Sequence, residues 1–91
     1  MIGVIMNKRK REDDKLYKIT RSKAIERDKG LCVICGAIAC EVHHIVYRSH
    51  LGTSILSNLA CLCLQCHNEA HGVNAKEIRK HLLDVVGVEQ S

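Results

Sequence analysis

Apolar residues recur three or four positions apart between residues 75 and 86, the spacing that produces one hydrophobic face on a helix. Asn74 and Glu77 have the spacing of an N-terminal capping box, in which each side chain bonds a backbone amide of the first turn. Gly87 is the residue type that most often follows the last turn of a helix. This pattern predicts a C-terminal helix over that range, with Gly87 at its end.

The middle of the chain has shorter hydrophobic segments, which predict two strands followed by a helix. β-Branched and aromatic residues are frequent between residues 41 and 47, and residues 59–62 are compatible with a second strand. A loop with Gly52 and several Ser and Thr residues separates them. Residues 64–70 are suited to a helix that ends at Gly72.

The N-terminal segment has no clear hydrophobic period up to about residue 15, which predicts a frayed or flexible arm. A short helix is expected from about Arg21 to Asp28, with Gly30 as its stop. We therefore divide the chain into an N-terminal arm, residues 1–19, and a folded domain, residues 20–91.

Positive charge is concentrated in the first third of the sequence. Residues 1–29 contain ten Lys and Arg against five Asp and Glu, whereas the remaining 62 residues contain four against five. The whole excess behind the net charge of +4 therefore lies in this basic segment. Such a segment favours a polyanionic partner, most simply nucleic acid, and an ordinary solvated arm is the alternative.

A chain of 91 residues has a marginal hydrophobic core, because a domain of this size buries only about 60–65% of its unfolded surface. The sequence has two Tyr and neither Phe nor Trp, the residues that bury the most area. A second source of stability is therefore expected. A structural zinc ion supplies about 10–16 kcal/mol in small zinc modules.

Six cysteines are compatible with either a disulfide scaffold or a metal site. The apolar residues 1–6 are fewer than the apolar region of a secretory signal requires, and basic residues follow them rather than precede them. The uncharged run of residues 30–40 is too short to span a bilayer. We therefore expect a reduced, cytoplasmic, metal-binding protein with no membrane segment.

Two Cys-x-x-Cys pairs about 30 residues apart have the spacing of a zinc site with four thiolate ligands. The sequence predicts a structural Zn²⁺ ion bound by Cys32, Cys35, Cys63 and Cys66. Cys61 lies two residues before Cys63 and could compete as a ligand if that run is a strand. Cys40 has no partner at a suitable spacing. We interpret Cys40 and Cys61 as small buried hydrophobic residues.

Histidines form a second group of candidate metal ligands. His67 and His71 are four residues apart, so on a helix they lie on the same face and can share an ion. His67 directly follows the second cysteine pair, which fixes its position. The His43-His44 dipeptide belongs to the first predicted strand, which is expected to pack beside that pair. Surface histidines without a function are the alternative for His67 and His71 taken alone.

Together these motifs resemble the HNH nuclease family, whose fold is the ββα-metal finger. The matching stretches occur in the expected order and are Arg27–Gly36, Val42–Ile45, Asn58-Leu59, Leu62–His67 and His71. The resemblance covers about residues 20–72. It implies a small α+β, zinc-stabilised fold, a ββα-metal finger with flanking helices, and it assigns residues 20–91 to an HNH nuclease domain.

The resemblance also implies a role for each matching polar residue. His44 takes the position of the general base that removes a proton from the attacking water. His43 and His67 take the positions of ligands to a catalytic divalent ion, and His71 matches an additional ligand of the colicin-type nucleases. Asn58 takes a position that holds the base-bearing loop rather than the metal. An imidazole pKa of about 6.5 leaves His44 mostly neutral at pH 7 and able to accept a proton.

A site made only of imidazoles is softer than the oxygen-rich sites that Mg²⁺ prefers. Mn²⁺, Ni²⁺ or Co²⁺ is therefore expected to support activity as well as or better than Mg²⁺, and excess Zn²⁺ is expected to bind and inhibit. The catalytic ion expected for the family position is Mg²⁺ or Mn²⁺, with Ni²⁺ and Co²⁺ as further candidates. Adjacent strand residues point to opposite faces of a sheet, so His43 and His44 can flank one phosphate only if the strand ends or bulges there. Such an interruption is expected at this pair.

The expected function is a metal-dependent DNA endonuclease that hydrolyses phosphodiester bonds by nicking or double-strand cleavage, with low sequence specificity. DNA is the expected partner, bound by a monomer or a homodimer. The alternative is a non-catalytic, zinc-stabilised nucleic-acid-binding module. Such a module needs the cysteines and the basic segment but neither His44 nor Asn58, so these two residues favour the enzyme. Arg48 is either a phosphate contact or a solvated arginine.

Overall fold

A two-stranded antiparallel sheet lies at the centre of the fold, with β1 (Glu41–His44) paired to β2 (Leu59–Leu62). The pairing is regular, with His43 opposite Ala60 and His44 opposite Leu59. The computed structural model describes residues 2–90, and it describes the side chains of residues 10–86.

Three helices pack around this sheet within the described residues: α1 (Ile2–Asp28), α2 (Leu64–Ala70) and α3 (Ala75–Gln90). Two short 3₁₀ turns, Arg48–His50 and Leu56–Asn58, lie in the loop between the strands. The arrangement is a small α+β fold, which confirms the fold class predicted from the sequence. None of the helices in the described part is both long enough and apolar enough to cross a membrane.

The sheet separates two clusters of buried residues, because successive side chains of a strand point to opposite faces. Leu59 and Cys61 of β2 pack toward α1. Ala60 and Leu62 pack on the other face, in the cluster that includes residues of α2 and α3. That second cluster also contains Cys32, Ile45, Cys66, Ala70, Leu82 and Val86. Two of the predicted zinc ligands are therefore part of the hydrophobic core.

α1 is much longer than the sequence predicts. The helix expected from about residue 21 begins at Ile2, so the flexible arm expected up to about residue 15 is wrong. The face of α1 that packs on the rest of the chain carries the polar residues Asp13, Thr20 and Arg27, and each bonds a group outside the helix. These polar positions hide the hydrophobic period. The boundary between residues 19 and 20 stays a prediction, and the helix passes through it without a break.

The other elements differ from the predicted ones only at their ends. β2 and α2 have the predicted bounds, whereas β1 ends at His44 rather than near residue 47. Beyond His44, the backbone amide and carbonyl of Val46 form hydrogen bonds with the side chain of Asn58 and not with the backbone of a neighbouring strand. α3 continues past Gly87 to Gln90, so Gly87 does not end it. A glycine inside a helix costs only about 1 kcal/mol relative to alanine, which the packing of a helix readily offsets.

Candidate active site and metal centres

The four cysteines of the two Cys-x-x-Cys pairs lie together, with each sulfur within 4.8 Å of the others. The Sγ atoms of Cys35 and Cys63 are 3.6 Å apart. A tetrahedral zinc ion with Zn–S bonds of about 2.3 Å separates its sulfur ligands by about 3.8 Å. The quartet therefore fits a structural zinc ion, as the sequence predicts.

The first cysteine pair lies in a tight turn that is bonded to the sheet. Gly36 has a φ of +80°, a left-handed conformation that residues with a side chain rarely adopt. Its amide donates to the carbonyl of Cys32 at 2.9 Å, and the amide of Cys32 donates to the carbonyl of Ala37 at 2.7 Å. The amide of Val33 donates to the carbonyl of Cys61 at 3.0 Å, which connects the turn to β2.

The second cysteine pair lies where β2 ends and α2 begins. Cys63 is the N-cap residue of α2, and its sulfur accepts a hydrogen bond from the amide of Cys66 at 3.5 Å. The amide of His67 donates to the carbonyl of Cys63 at 2.8 Å, as the helix starts. The second cysteine pair and His67 are therefore positioned by the same helical turn.

The thiols of the quartet cannot all ionise without a cation. Burial opposes ionisation of Cys32, but hydrogen bonds from the backbone amides of Cys35 and Cys63 outweigh it and lower the pKa of Cys32 to about 6. Burial and the neighbouring sulfurs of Cys63 and Cys32 raise the pKa of Cys66. A divalent cation removes this conflict, because it stabilises all of its thiolate ligands at once.

The other two cysteines lie outside the quartet. Cys61 is buried between β2 and α1, where its Sγ donates to the carbonyl of Ala24 at 3.7 Å. Burial and the nearby carboxylate of Asp28 raise its pKa to about 11, so it is a neutral core residue, as predicted. Cys40 is exposed, so the prediction that it is a buried hydrophobic residue is wrong. It lies at the edge of β1, just before that strand begins.

Three histidines form a second cluster. His43 on β1, His67 on α2 and His71 at the end of α2 each place a ring nitrogen within 4.8 Å of the other two. The Nε2 atoms of His67 and His71 are 3.3 Å apart. Burial and the charges of His71 and His67 lower the pKa of His43 to about 4. His43 is therefore neutral at pH 7, and its nitrogen lone pair is available to a divalent cation.

Tyr47 fixes the position of this histidine cluster. Its ring stacks on the His71 ring, with centroids 5.1 Å apart and planes 20° apart. Its hydroxyl donates to the carbonyl of Ala70 at 2.6 Å, and the guanidinium of Arg79 lies 5.3 Å from its ring centroid. The sequence gives no signal for this contact, because Tyr47 lies in an irregular loop.

His44 lies on the opposite face of β1, next to α1. Its Nε2 is 2.9 Å from the hydroxyl of Ser54, and its ring centroid is 5.0 Å from that of Tyr17. Burial and the positive charge of Arg48 lower the pKa of His44, and the carboxylate of Asp13 opposes this shift. A neutral imidazole with a lowered pKa can accept a proton at pH 7.

β1 is not interrupted within the histidine pair, and the interruption expected at this pair lies directly after His44. β1 pairs regularly through His43 and His44 and then ends. The two rings therefore point to opposite faces of the last strand residues, His43 toward α2 and His44 toward α1.

Asn58 holds the segment that follows His44. Its side-chain oxygen accepts from the amide of Val46 at 2.8 Å, and its side-chain nitrogen donates to the carbonyls of Val46 at 3.1 Å and Thr53 at 2.8 Å. Its own carbonyl accepts from the amide of Ile45 at 2.9 Å. The described hydrogen bonds of the Asn58 side chain thus go to the loop, and none of them goes to the three clustered histidines.

Arg48 lies on the His44 side of the loop and is paired with two carboxylates of α1. Its guanidinium is 3.1 Å from an oxygen of Asp13 and 3.1 Å from an oxygen of Asp14, and it lies 5.2 Å from the Tyr17 ring centroid. The position of Arg48 in the sequence does not indicate these partners on α1. Residues assigned to a flexible arm therefore contribute to the surroundings of His44.

Comparison with known proteins agrees with this geometry. Residues 32–72 match the family model described as HNH endonuclease, and this segment contains both ligand clusters, His44 and Asn58. This match of residues 32–72 to the HNH endonuclease model confirms the resemblance in the sequence.

A curated relative is the type IV methyl-directed restriction enzyme EcoKMcrA of Escherichia coli (strain K12). The two sequences are 35% identical over an alignment 65 residues long, and the match covers 59% of this chain and 24% of the relative. The chain therefore spans about a quarter of the length of that relative.

Proposed function

We propose that this chain is a metal-dependent endonuclease that hydrolyses phosphodiester bonds in DNA. The observation that carries the proposal is the arrangement at the end of β1, where three clustered imidazoles lie on one side and a single neutral imidazole lies on the other. A site for hydrolysis needs both a place for a cation and a separate proton acceptor. The match of residues 32–72 to the HNH endonuclease family supports the same reaction.

His43, His67 and His71 would hold the catalytic ion, which we propose to be Mg²⁺ or Mn²⁺, with Ni²⁺ and Co²⁺ as further candidates. When bound, such an ion supplies Lewis acidity that neutralises charge on the scissile phosphate and on the departing 3′ oxygen. The neutral state of His43 and the stacking of Tyr47 on His71 prepare these rings for that role.

His44 acts as the general base that takes a proton from the attacking water. Its lowered pKa keeps it neutral at pH 7, and its ring is held between Tyr17 and Ser54. Asn58 fixes the loop that follows the base, so that the ring keeps its place relative to the phosphate. The products of this reaction are 5′-phosphate and 3′-hydroxyl ends.

DNA is the proposed substrate because of the charge on α1. Asp13 and Asp14 are occupied by Arg48, whereas the basic side chains of Arg11, Lys15 and Lys18 are exposed. Exposed lysines and arginines bind the phosphate backbone without distinguishing sequence. We therefore propose low sequence specificity, and a cytoplasmic monomer or homodimer that nicks DNA or cuts both strands.

Removal of the divalent ion is expected to abolish DNA cleavage. The test incubates the full chain with supercoiled plasmid in Mg²⁺, in Mn²⁺ and in EDTA, and follows the open-circular and linear forms on a gel. Cleavage is expected with Mg²⁺ or Mn²⁺ and should fall to background in EDTA. Plasmid that is retarded in the gel but never cut, with any of the metals named above, would refute the endonuclease and favour the binding module.

A further inference from the structure

We propose that Asp13, acting through the hydroxyl of Ser54, is a positioning residue that fixes the orientation and the tautomer of His44. The consequence for the reaction rests on the proposed endonuclease function, whereas the tautomer itself does not. Asp13 lies on α1, outside the segment that matches the HNH endonuclease family.

The hydroxyl of Ser54 connects the carboxylate of Asp13 to the ring of His44. Ser54 is fully buried, with 0% of its surface exposed. Its Oγ is 2.8 Å from Oδ2 of Asp13, 2.9 Å from Nε2 of His44 and 3.3 Å from Nη2 of Arg48. Its amide donates to Oδ1 of Asp13 at 2.8 Å, and its carbonyl accepts from Thr20 Oγ1 at 2.7 Å. Two residues of α1, Asp13 and Thr20, which lie two helical turns apart, thus hold this serine in place.

The number of protons available decides the direction of each hydrogen bond. A serine hydroxyl has one proton to donate and two lone pairs, an ionised carboxylate only accepts, and a guanidinium only donates. The hydroxyl of Ser54 must therefore donate to Asp13 and accept from Arg48, and its remaining lone pair accepts from Nε2–H of His44. A neutral imidazole has only one N–H group, so Nδ1 of His44 carries the lone pair.

The environment of Asp13 keeps its carboxyl group ionised, as this arrangement requires. Burial opposes ionisation, but the two hydrogen bonds from Ser54 and the charge of Arg48 outweigh it and lower the pKa of Asp13. Tyr17, one turn further along α1, packs against the His44 ring and donates to the carbonyl of Val42 at 3.4 Å. α1 therefore restrains both the ring and its proton.

Replacing Asp13 with asparagine is expected to invert this hydrogen-bond chain. The amide oxygen can still accept from the Ser54 amide, but the amide NH₂ group then faces the Ser54 hydroxyl as a donor. The hydroxyl proton must turn to Nε2 of His44, which moves the ring proton to Nδ1. The nitrogen that accepts a proton from water is lost, so kcat should fall by about 10²-fold or more, with KM within about twofold of wild type.

Asp14→Asn is the matched control. It removes the same charge one residue away and also loses a pair with Arg48, but Asp14 has no hydrogen bond to Ser54 among those described for its side chain. The tautomer of His44 and the kcat of the Asp14→Asn variant should match those of the wild type. A double variant, Asp13→Asn with Ser54→Ala, should be no slower than Ser54→Ala alone, because Asp13 sets the tautomer of His44 through that hydroxyl.

The experiment records the ring nitrogens of His44 by long-range ¹H–¹⁵N NMR at about pH 8, where an ordinary imidazole is neutral. The sample is the full, zinc-loaded chain without DNA, and plasmid cleavage is measured on the same preparations. Wild type and Asp14→Asn should carry the proton on Nε2, and Asp13→Asn should carry it on Nδ1. A wild-type ring with its proton on Nδ1 would overturn the proposal without any variant.

The two proposals fail in different ways. If the chain shows the expected tautomers but never cuts plasmid, the Asp13 inference holds and the endonuclease function is refuted. A chain that cuts plasmid, but in which Asp13→Asn keeps both the Nε2 proton and the rate of Asp14→Asn, would overturn the Asp13 inference alone. Loss of activity in Asp13→Asn with a lower melting temperature and an unchanged tautomer would likewise contradict it, because a merely structural role predicts that result.

Discussion

Replacing His44 with alanine is expected to slow DNA cleavage by about 10²–10⁴-fold, the usual contribution of a general base. The substitution removes the histidine ring that contacts Tyr17 of α1, and it leaves the His43, His67 and His71 cluster intact. The fold should change little, because Ser54 keeps its bond to Asp13. A loss of about 1 kcal/mol in the free energy of unfolding is expected from one hydrogen bond.

The measurement is the initial rate of plasmid nicking under a saturating divalent ion, with His81→Ala as the control. His81 is an exposed histidine on α3, so its removal should leave the rate unchanged. A His44→Ala rate within about threefold of the control would show that this ring is not the base.

The pH dependence gives a second test of the same residue. A general base works in its neutral form. The cleavage rate should therefore be maximal above the pKa of His44 and should fall as the pH drops through that pKa. Burial and Arg48 lower that pKa below its ordinary value of 6.5. The half-maximal rate of the wild type should therefore lie below pH 6.5, and His44→Ala should lack this acid limb.

Replacing Cys66 with alanine is expected to abolish folding rather than cleavage alone. A structural zinc ion contributes about 10–16 kcal/mol, while a whole domain is stable by only about 5–15 kcal/mol. Cys66 is both a member of the quartet and a buried core residue, so its loss affects the zinc ion and the packing together. Little cooperative structure should remain.

Cys40→Ala makes the same chemical change at an exposed cysteine outside the quartet. Thermal unfolding followed by circular dichroism, with the zinc content of each sample, compares the two variants. Cys40→Ala should melt like the wild type with its zinc retained, and Cys66→Ala should show no cooperative transition. Equal melting of both variants would rule out a zinc ion that holds the fold.

The parts of the fold that depend on local spacing could be predicted from the sequence. The cysteine quartet follows from two short motifs, and the bounds of β2 and α2 follow from runs bordered by turn residues. The length of α1 could not be predicted, because its packed face is built from Asp13, Thr20 and Arg27, whose partners lie about 30 to 40 positions along the chain.

In the candidate site, too, local spacing could be predicted from the sequence and contacts between distant residues could not. His67 and His71 lie one helical turn apart, so their proximity follows from the sequence alone, and the alternation of a strand separates His43 from His44. The bond from Ser54 to Asp13 joins residues 41 positions apart. Only the packing of α1 on the loop creates it, and neither residue belongs to a recognisable motif.

We propose that sulfur ligands hold the fold and that a separate set of nitrogen ligands holds the catalytic ion. The most direct measurement is the metal content of the purified chain, with zinc counted by atomic emission and exchangeable Mn²⁺ counted by electron paramagnetic resonance. We expect one firmly held zinc and one exchangeable Mn²⁺ per chain, with the Mn²⁺ alone lost in the double variant His67→Ala, His71→Ala. Loss of the zinc together with the Mn²⁺ in that variant, or a wild type that binds no Mn²⁺, would contradict the account.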